Sequence, residues 1–170
     1  MKYLALAAYV ATIVAANWMT STLGLVPIGF GLVVTAGTFA AGFALIARDW
    51  VQEANGRPVA VLAVLAGAAI SAVTSNPAIA VASGVAFLVS ELVDLGVFTP
   101  IREKSLALAV VVSSVVAAPI DTVLFLWLAG FPVTWQAIAG QFIVKTALAL
   151  VVAGGIRAVS VRGAQPRHAG

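Results

Sequence analysis

The 170-residue chain contains no cysteine and a single histidine, His168. Disulfides, thiolate metal sites and cysteine nucleophiles are therefore excluded. A histidine metal cluster and a Ser-His-Asp triad inside the fold are excluded with them. Charge is almost as scarce, at 9% of residues, against about 25% in an average soluble domain. No glycine-rich phosphate loop occurs, so any ATP that energises this chain must be hydrolysed by a partner. The net charge of +3 and pI of 9.8 do not indicate nucleic acid, because the basic residues are scattered singly and form no patch. What the chain has is apolar surface: 62% hydrophobic residues and a mean hydropathy of +1.12. A soluble domain of this size could not hide that much, and disordered chains are poor in apolar residues. The composition predicts an all-α integral membrane protein embedded in the lipid bilayer, with almost nothing outside it.

Six transmembrane helices are expected: Tyr3–Leu23, Phe30–Ala47, Pro58–Thr74, Ala78–Phe98, Ser105–Leu128 and Gln136–Val159. Strict polar/apolar alternation, the mark of a barrel, is missing from these runs. Residues 1–161 then form one transmembrane domain, and 162–170 a short cytoplasmic tail. Lys2 and the apolar run to Ala16 also fit the start of a signal peptide; with no soluble domain following, the first span is read as a membrane helix. Loops one, three and five carry no Lys or Arg. Lys2, Arg48, Arg57, Arg102, Lys104, Arg157, Arg162 and Arg167 all fall on the opposite face. The positive-inside rule then places both termini in the cytoplasm, in a multi-pass protein of the cell membrane.

Charged groups in a span cost roughly 2.5–3.5 kcal/mol on insertion scales, so they face the bundle interior and mark a pathway or site. The in-membrane polar set is Asn17, Glu91, Asp94, Asp121, Gln141 and Lys145, with Asp49 and Glu53 at the cytoplasmic end of span two. At about 1.5 Å rise per residue, Asn17, Asp121, Gln141 and Lys145 all lie roughly 8–13 Å below the outer ends of their spans. Gln141 and Lys145, four apart, share a helix face. Ser83, Phe87, Ser90, Glu91 and Asp94 follow a helical stripe in span four, as do Ser114, Ala118, Asp121 and Phe125 in span five. Pro119 removes a backbone donor beside Asp121. Asp121 and Lys145 are expected to pair, either only to hold spans five and six together or also to touch a solute. Asp49, Glu53 and Asp94 are assigned to a gating or cytoplasmic salt-bridge cluster with Arg48 and Arg57. Ala7, Ala11 and Ala15 form a small-residue ridge for helix packing.

These segments resemble the queuosine-precursor transporter family, also called the vitamin uptake transporter family. The resemblance is carried by AGTFAAGFALIARDWVQEANGR (36–57), ASGVAFLVSELVDLGVFTPIR (82–102), SSVVAAPIDTVLF (113–125), Lys145 in IVKTALAL, and Asn17 in the first span. It implies a six-helix importer of 7-deazaguanine precursors such as 7-cyano-7-deazaguanine (preQ0), similar in fold to the substrate-binding subunits of energy-coupling-factor transporters. The Ala-Pro pair before Ile120 departs from the family pattern.

The residue chemistry fits such a base. A carboxylate accepts from the N1–H and exocyclic amine of one edge, an amide or ammonium donates to the base carbonyl, and an aromatic ring stacks on the flat face. Asn17, Phe87, Glu91, Asp121, Phe125, Gln141 and Lys145 are the expected substrate-binding residues. No catalytic, metal or cofactor role is expected of any residue, and the chain is read as a transporter and not an enzyme. The competing readings are a vitamin-binding subunit docked through Ala7, Ala11 and Ala15 on an ATP-driven partner, and a membrane enzyme using carboxylates as bases or Mg²⁺ ligands. The sequence leaves open whether the chain forms a homo-oligomer or needs an energising partner.

Overall fold

The structure is a computed structural model describing residues 2–163, without the side chains of 2, 45, 46, 49, 50, 52, 53, 57, 95, 106, 152, 153 and 156–163. The side chains of Asp49 and Glu53, and the tail from 164 onward, lie outside the described residues. In chain order the elements are α1 (Lys2–Leu23), β1 (Leu25–Gly29), β2 (Leu32–Thr35), α2 (Thr38–Asn55), α3 (Arg57–Thr74), α4 (Pro77–Arg102), α5 (Leu106–Leu128) and α6 (Trp135–Gly163).

Local chemistry sets the helix ends. The Asn76 side chain accepts from the Ala78 N–H at 2.8 Å and the Ile79 N–H at 3.3 Å, and Pro77 starts α4 where no donor is needed. Ser105 caps α5 by accepting from the Leu108 N–H at 3.3 Å. At the end of α1, Gly24 takes φ +63° and donates its N–H to the Thr20 carbonyl at 2.9 Å, a left-handed terminator that glycine tolerates best. Pro119 lies inside α5, which continues through it.

The expected second span, Phe30–Ala47, is corrected. Residues 25–35 form an antiparallel hairpin with Leu25 opposite Thr35 and Val26 opposite Val34, and α2 begins only at Thr38. The reason is the turn Gly29-Phe30-Gly31, in which all three residues have positive φ. A helix cannot run through it, and the apolar, mainly β-branched stretch Leu32–Thr35 then pairs back on Leu25–Gly29. The hairpin is seated on both ends of the chain. A Cβ at Gly37 would strike the Ala16 carbonyl of α1, and one at Gly140 of α6 would strike the Val33 carbonyl of β2. The Gly37 N–H also donates to the Thr20 hydroxyl at 3.1 Å.

Side by side, the helices close a ring. α1 packs on α3, α3 on α4, α4 on α5, α5 on α6, α6 on α2 and β2, and α2 back on α1. An apolar core from Ala5, Tyr9, Ala44, Ala47, Val51, Ala60, Ala63 and Val64 joins α1, α2 and α3; its alanines let the backbones approach closely. The interior also holds polar side chains, among them Asn17, Ser71, Ser113, Thr122 and Gln141, while Leu62, Leu65, Ile70, Val73, Leu92 and Val151 lie exposed. An apolar outside around a partly polar inside is the distribution a lipid solvent selects.

Among the described residues, α1, α4 and α5 contain segments long and apolar enough to cross a membrane, and α3 and α6 carry the shorter apolar segments Pro58–Thr74 and Trp135–Val151. α2 carries Arg48, Asp49 and Glu53 and is not in either set.

Candidate functional site

A cavity of about 140 Å³ lies inside the ring and is lined by residues of all six helices. Tyr9, Ile13 and Ala16 come from α1, Ala41, Gly42, Ala44 and Arg48 from α2, and Val64 and Ala68 from α3. α4 supplies Ser83, Gly84, Phe87, Ser90, Glu91 and Asp94, a face repeating every three to four residues, α5 supplies Ser114, Ala117, Ala118 and Asp121, and α6 supplies Lys145. Small residues on α2 and α5 leave the volume open. The charges stand in its wall.

Two ion pairs organise that wall. Lys145 Nζ donates to Asp121 Oδ2 at 2.5 Å and to the Thr122 hydroxyl at 2.9 Å, tying α6 to its ring neighbour α5. The Ser90 hydroxyl lies 2.9 Å from the Phe87 carbonyl and 3.4 Å from Asp121 Oδ1; with one proton it donates to one of them at a time. On the other side, Arg48 Nη1 donates to Glu91 Oε2 at 2.5 Å. α2 and α4 are not ring neighbours, so this pair reaches across the interior as a strut. Side-chain exposure is 16% for Arg48, 12% for Glu91, 14% for Lys145 and 26% for Asp121. At that shielding, removing one partner of a pair is costly, because the charge left behind is poorly solvated.

The expected site residues divide. Phe87, Glu91, Asp94, Asp121 and Lys145 line the cavity. Asn17, Phe125 and Gln141 are not among its lining residues. Asn17 is buried and donates to the Ser71 hydroxyl at 3.0 Å, bridging α1 and α3. The Phe125 ring lies against Phe131, with centroids 6.3 Å apart. Gln141 is buried and its amide nitrogen has no hydrogen-bond partner among the described residues. Asp94 lines the cavity, and the side chains of Asp49 and Glu53 expected in a cluster with it lie outside the described residues. Arg48, expected in a loop, sits inside α2 and in the cavity wall. Tyr9 was not distinguishable in sequence from the other apolar positions of α1.

Residues 71–158, just over half of the chain, match a family model described as "Putative vitamin uptake transporter". The chain belongs to that family. The matched stretch of this vitamin uptake transporter contains the last turn of α3, most of α6 and all of α4 and α5, and with them Phe87, Glu91, Asp94, Asp121 and Lys145. It begins after Tyr9, the hairpin and Arg48. No curated protein and no solved structure matches the chain. The family and the apolar helices together make it a helical membrane protein of the transporter class.

Proposed function

We propose that this vitamin uptake transporter is a six-span importer of a small, flat, purine-like solute, a 7-deazaguanine precursor of queuosine such as 7-cyano-7-deazaguanine. The observation that carries the reading is the central cavity with its two ion pairs. About 140 Å³ is close to the roughly 150 Å³ that accommodates one benzene ring in a closed apolar cavity, and well below the about 300–1,000 Å³ that encloses drug-sized ligands. That scale favours a compact ring system over a long-tailed vitamin. Phe87 offers a face for stacking. Glu91 and Asp121 offer acceptors for the N1–H and amine edge, and Lys145 and Arg48 offer donors for a carbonyl. Labelled 7-cyano-7-deazaguanine should accumulate in cells that lack their own synthesis and import of it when they express this chain. Accumulation no higher than in cells with an empty vector, at normal membrane levels of the protein, would refute the substrate.

The orientation in this proposal has both termini in the cytoplasm of a cell-membrane protein. It rests on Lys2, Arg57, Arg102, Lys104, Arg157, Arg162 and Arg167 falling at one end of alternating helices; Arg48 no longer counts towards it. A reporter that is active only in the cytoplasm, fused after Gly170, should be active, and an inactive fusion at normal expression reverses the topology.

A second reading has a specific observation behind it. Ala7, Ala11 and Ala15 all lie exposed on α1, where a partner helix could approach closely. That suits a substrate-binding subunit energised by a separate ATP-hydrolysing partner. Uptake by the purified chain alone in vesicles separates the readings.

A further inference from the structure

The cavity wall carries three carboxylates and two cations: Glu91, Asp94 and Asp121 against Arg48 and Lys145. Arg48 is bonded to Glu91 and Lys145 to Asp121. Asp94 is left over. It is half-buried, one helical turn along α4 from Glu91, and it has no hydrogen bond or ion pair among the described residues. Among the described residues its surroundings in the wall bring it no spare cation, since the Arg48 of α2 is bonded to Glu91. α1 contributes Tyr9, α3 only Val64 and Ala68, α5 Asp121 and α6 Lys145, whose charge is already engaged.

An unneutralised carboxylate within a membrane bundle is costly to keep and gains most from a positive charge delivered to it. One formal negative charge matches one positive charge. A divalent ion would want more ligands, and no group of three or more Asp, Glu or His suited to a metal ion occurs among the described residues.

We propose that Asp94 is a cation-binding residue of this cavity, taking up a single positive charge that arrives with the solute. Two sources share that chemistry: an amine on the solute itself, or a sodium ion moved alongside it. The inference rests on the transport reading only in taking the cavity as the solute site, and its test does not need uptake.

The test is thermal unfolding of the purified full chain in detergent. In one arm sodium chloride replaces choline chloride at constant ionic strength. In the other, 7-aminomethyl-7-deazaguanine, which carries an amine, is compared with 7-cyano-7-deazaguanine, which does not. Wild type should gain roughly 5 °C at about a hundred times the dissociation constant, from sodium in the first arm or from the amine compound alone in the second. Asp94→Asn should lose that gain, and Asp94→Glu, which keeps the charge, should retain part of it. Asp94→Ser serves the same comparison where Asp94→Asn does not purify. A gain from sodium identifies the free ion, and a gain confined to the amine compound identifies the solute. No gain in wild type from either source overturns the proposal, as does an equal gain in wild type and in both neutral variants. Failure of the 7-deazaguanine reading would instead show as absent uptake by wild type, with the sodium comparison intact.

Discussion

Asp121→Asn and Lys145→Met should each destabilise the protein, and the double variant should recover the loss. Either single change leaves one charge in a shielded wall with its partner gone, which typically costs about 3–5 kcal/mol. The bond from Lys145 to the Thr122 hydroxyl at 2.9 Å does not offset that, since a hydroxyl carries no charge. In the double variant both charges leave together and α5 and α6 keep their packing. Uptake then separates two roles that stability merges. If Asp121 accepts hydrogen bonds from the solute edge, the double variant is stable and inactive. A stable double variant with full uptake would remove Asp121 from the solute, and a double variant no more stable than the worse single would remove the pairing.

Glu91→Gln should lower uptake per molecule in the membrane about ten- to a hundredfold, beyond any loss of membrane level from breaking the pair, the equivalent of one charged hydrogen bond of roughly 1.5–3 kcal/mol. Arg48→Met should do the same. The two residues belong to helices that do not adjoin in the ring, so their bond crosses the space a solute must occupy or pass. A solute that reads Glu91 must compete with Arg48 for it. The charge swap Arg48→Glu with Glu91→Arg rebuilds the strut in reverse. Recovery of membrane level without uptake assigns Glu91 to the solute, whereas full uptake in the swap, or in Glu91→Gln alone, would limit the pair to a structural strut.

The sequence exposed the helices more readily than the site. Apolar length located α1, α3, α4, α5 and α6 to within about four residues, because a lipid-facing helix must be apolar wherever it meets lipid. The same criterion failed at 30–37. Leu32, Val33 and Val34 are as apolar as a span, and only the backbone of Gly29-Phe30-Gly31 decides for a turn. That one misreading displaced Arg48. With α2 started at Phe30, Arg48 falls past its end among loop charges; with α2 started at Thr38, it falls well inside the helix and against Glu91. The stripe Ser83, Phe87, Ser90, Glu91 and Asp94 was readable because helical spacing states direction as well as depth. Asn17 is placed by depth and by the resemblance, Gln141 by depth and by the face it shares with Lys145, and none of these says which neighbour a side chain meets. Asn17 meets Ser71. Phe125 sits one turn past Asp121 on the same stripe, yet its ring lies beside Phe131, a residue in the connection after α5 whose position no periodicity specifies.

The hairpin bears on the order in which the bundle can be completed. Its strands are made directly after α1, and Gly37 finds its seat on Ala16 and Thr20 as soon as that helix exists. Its other seat, Gly140, lies on α6, which is synthesised after α1 to α5. Through α2, α3, α4 and α5 the β2 carbonyl at Val33 therefore waits without its final neighbour, and the ring stays unlocked along that seam. Synthesis proceeds from the N-terminus, so the contact that joins the first loop to α6 can form only after α1 to α5 have been made, and the hairpin ties the earliest-made part of the bundle to a late one.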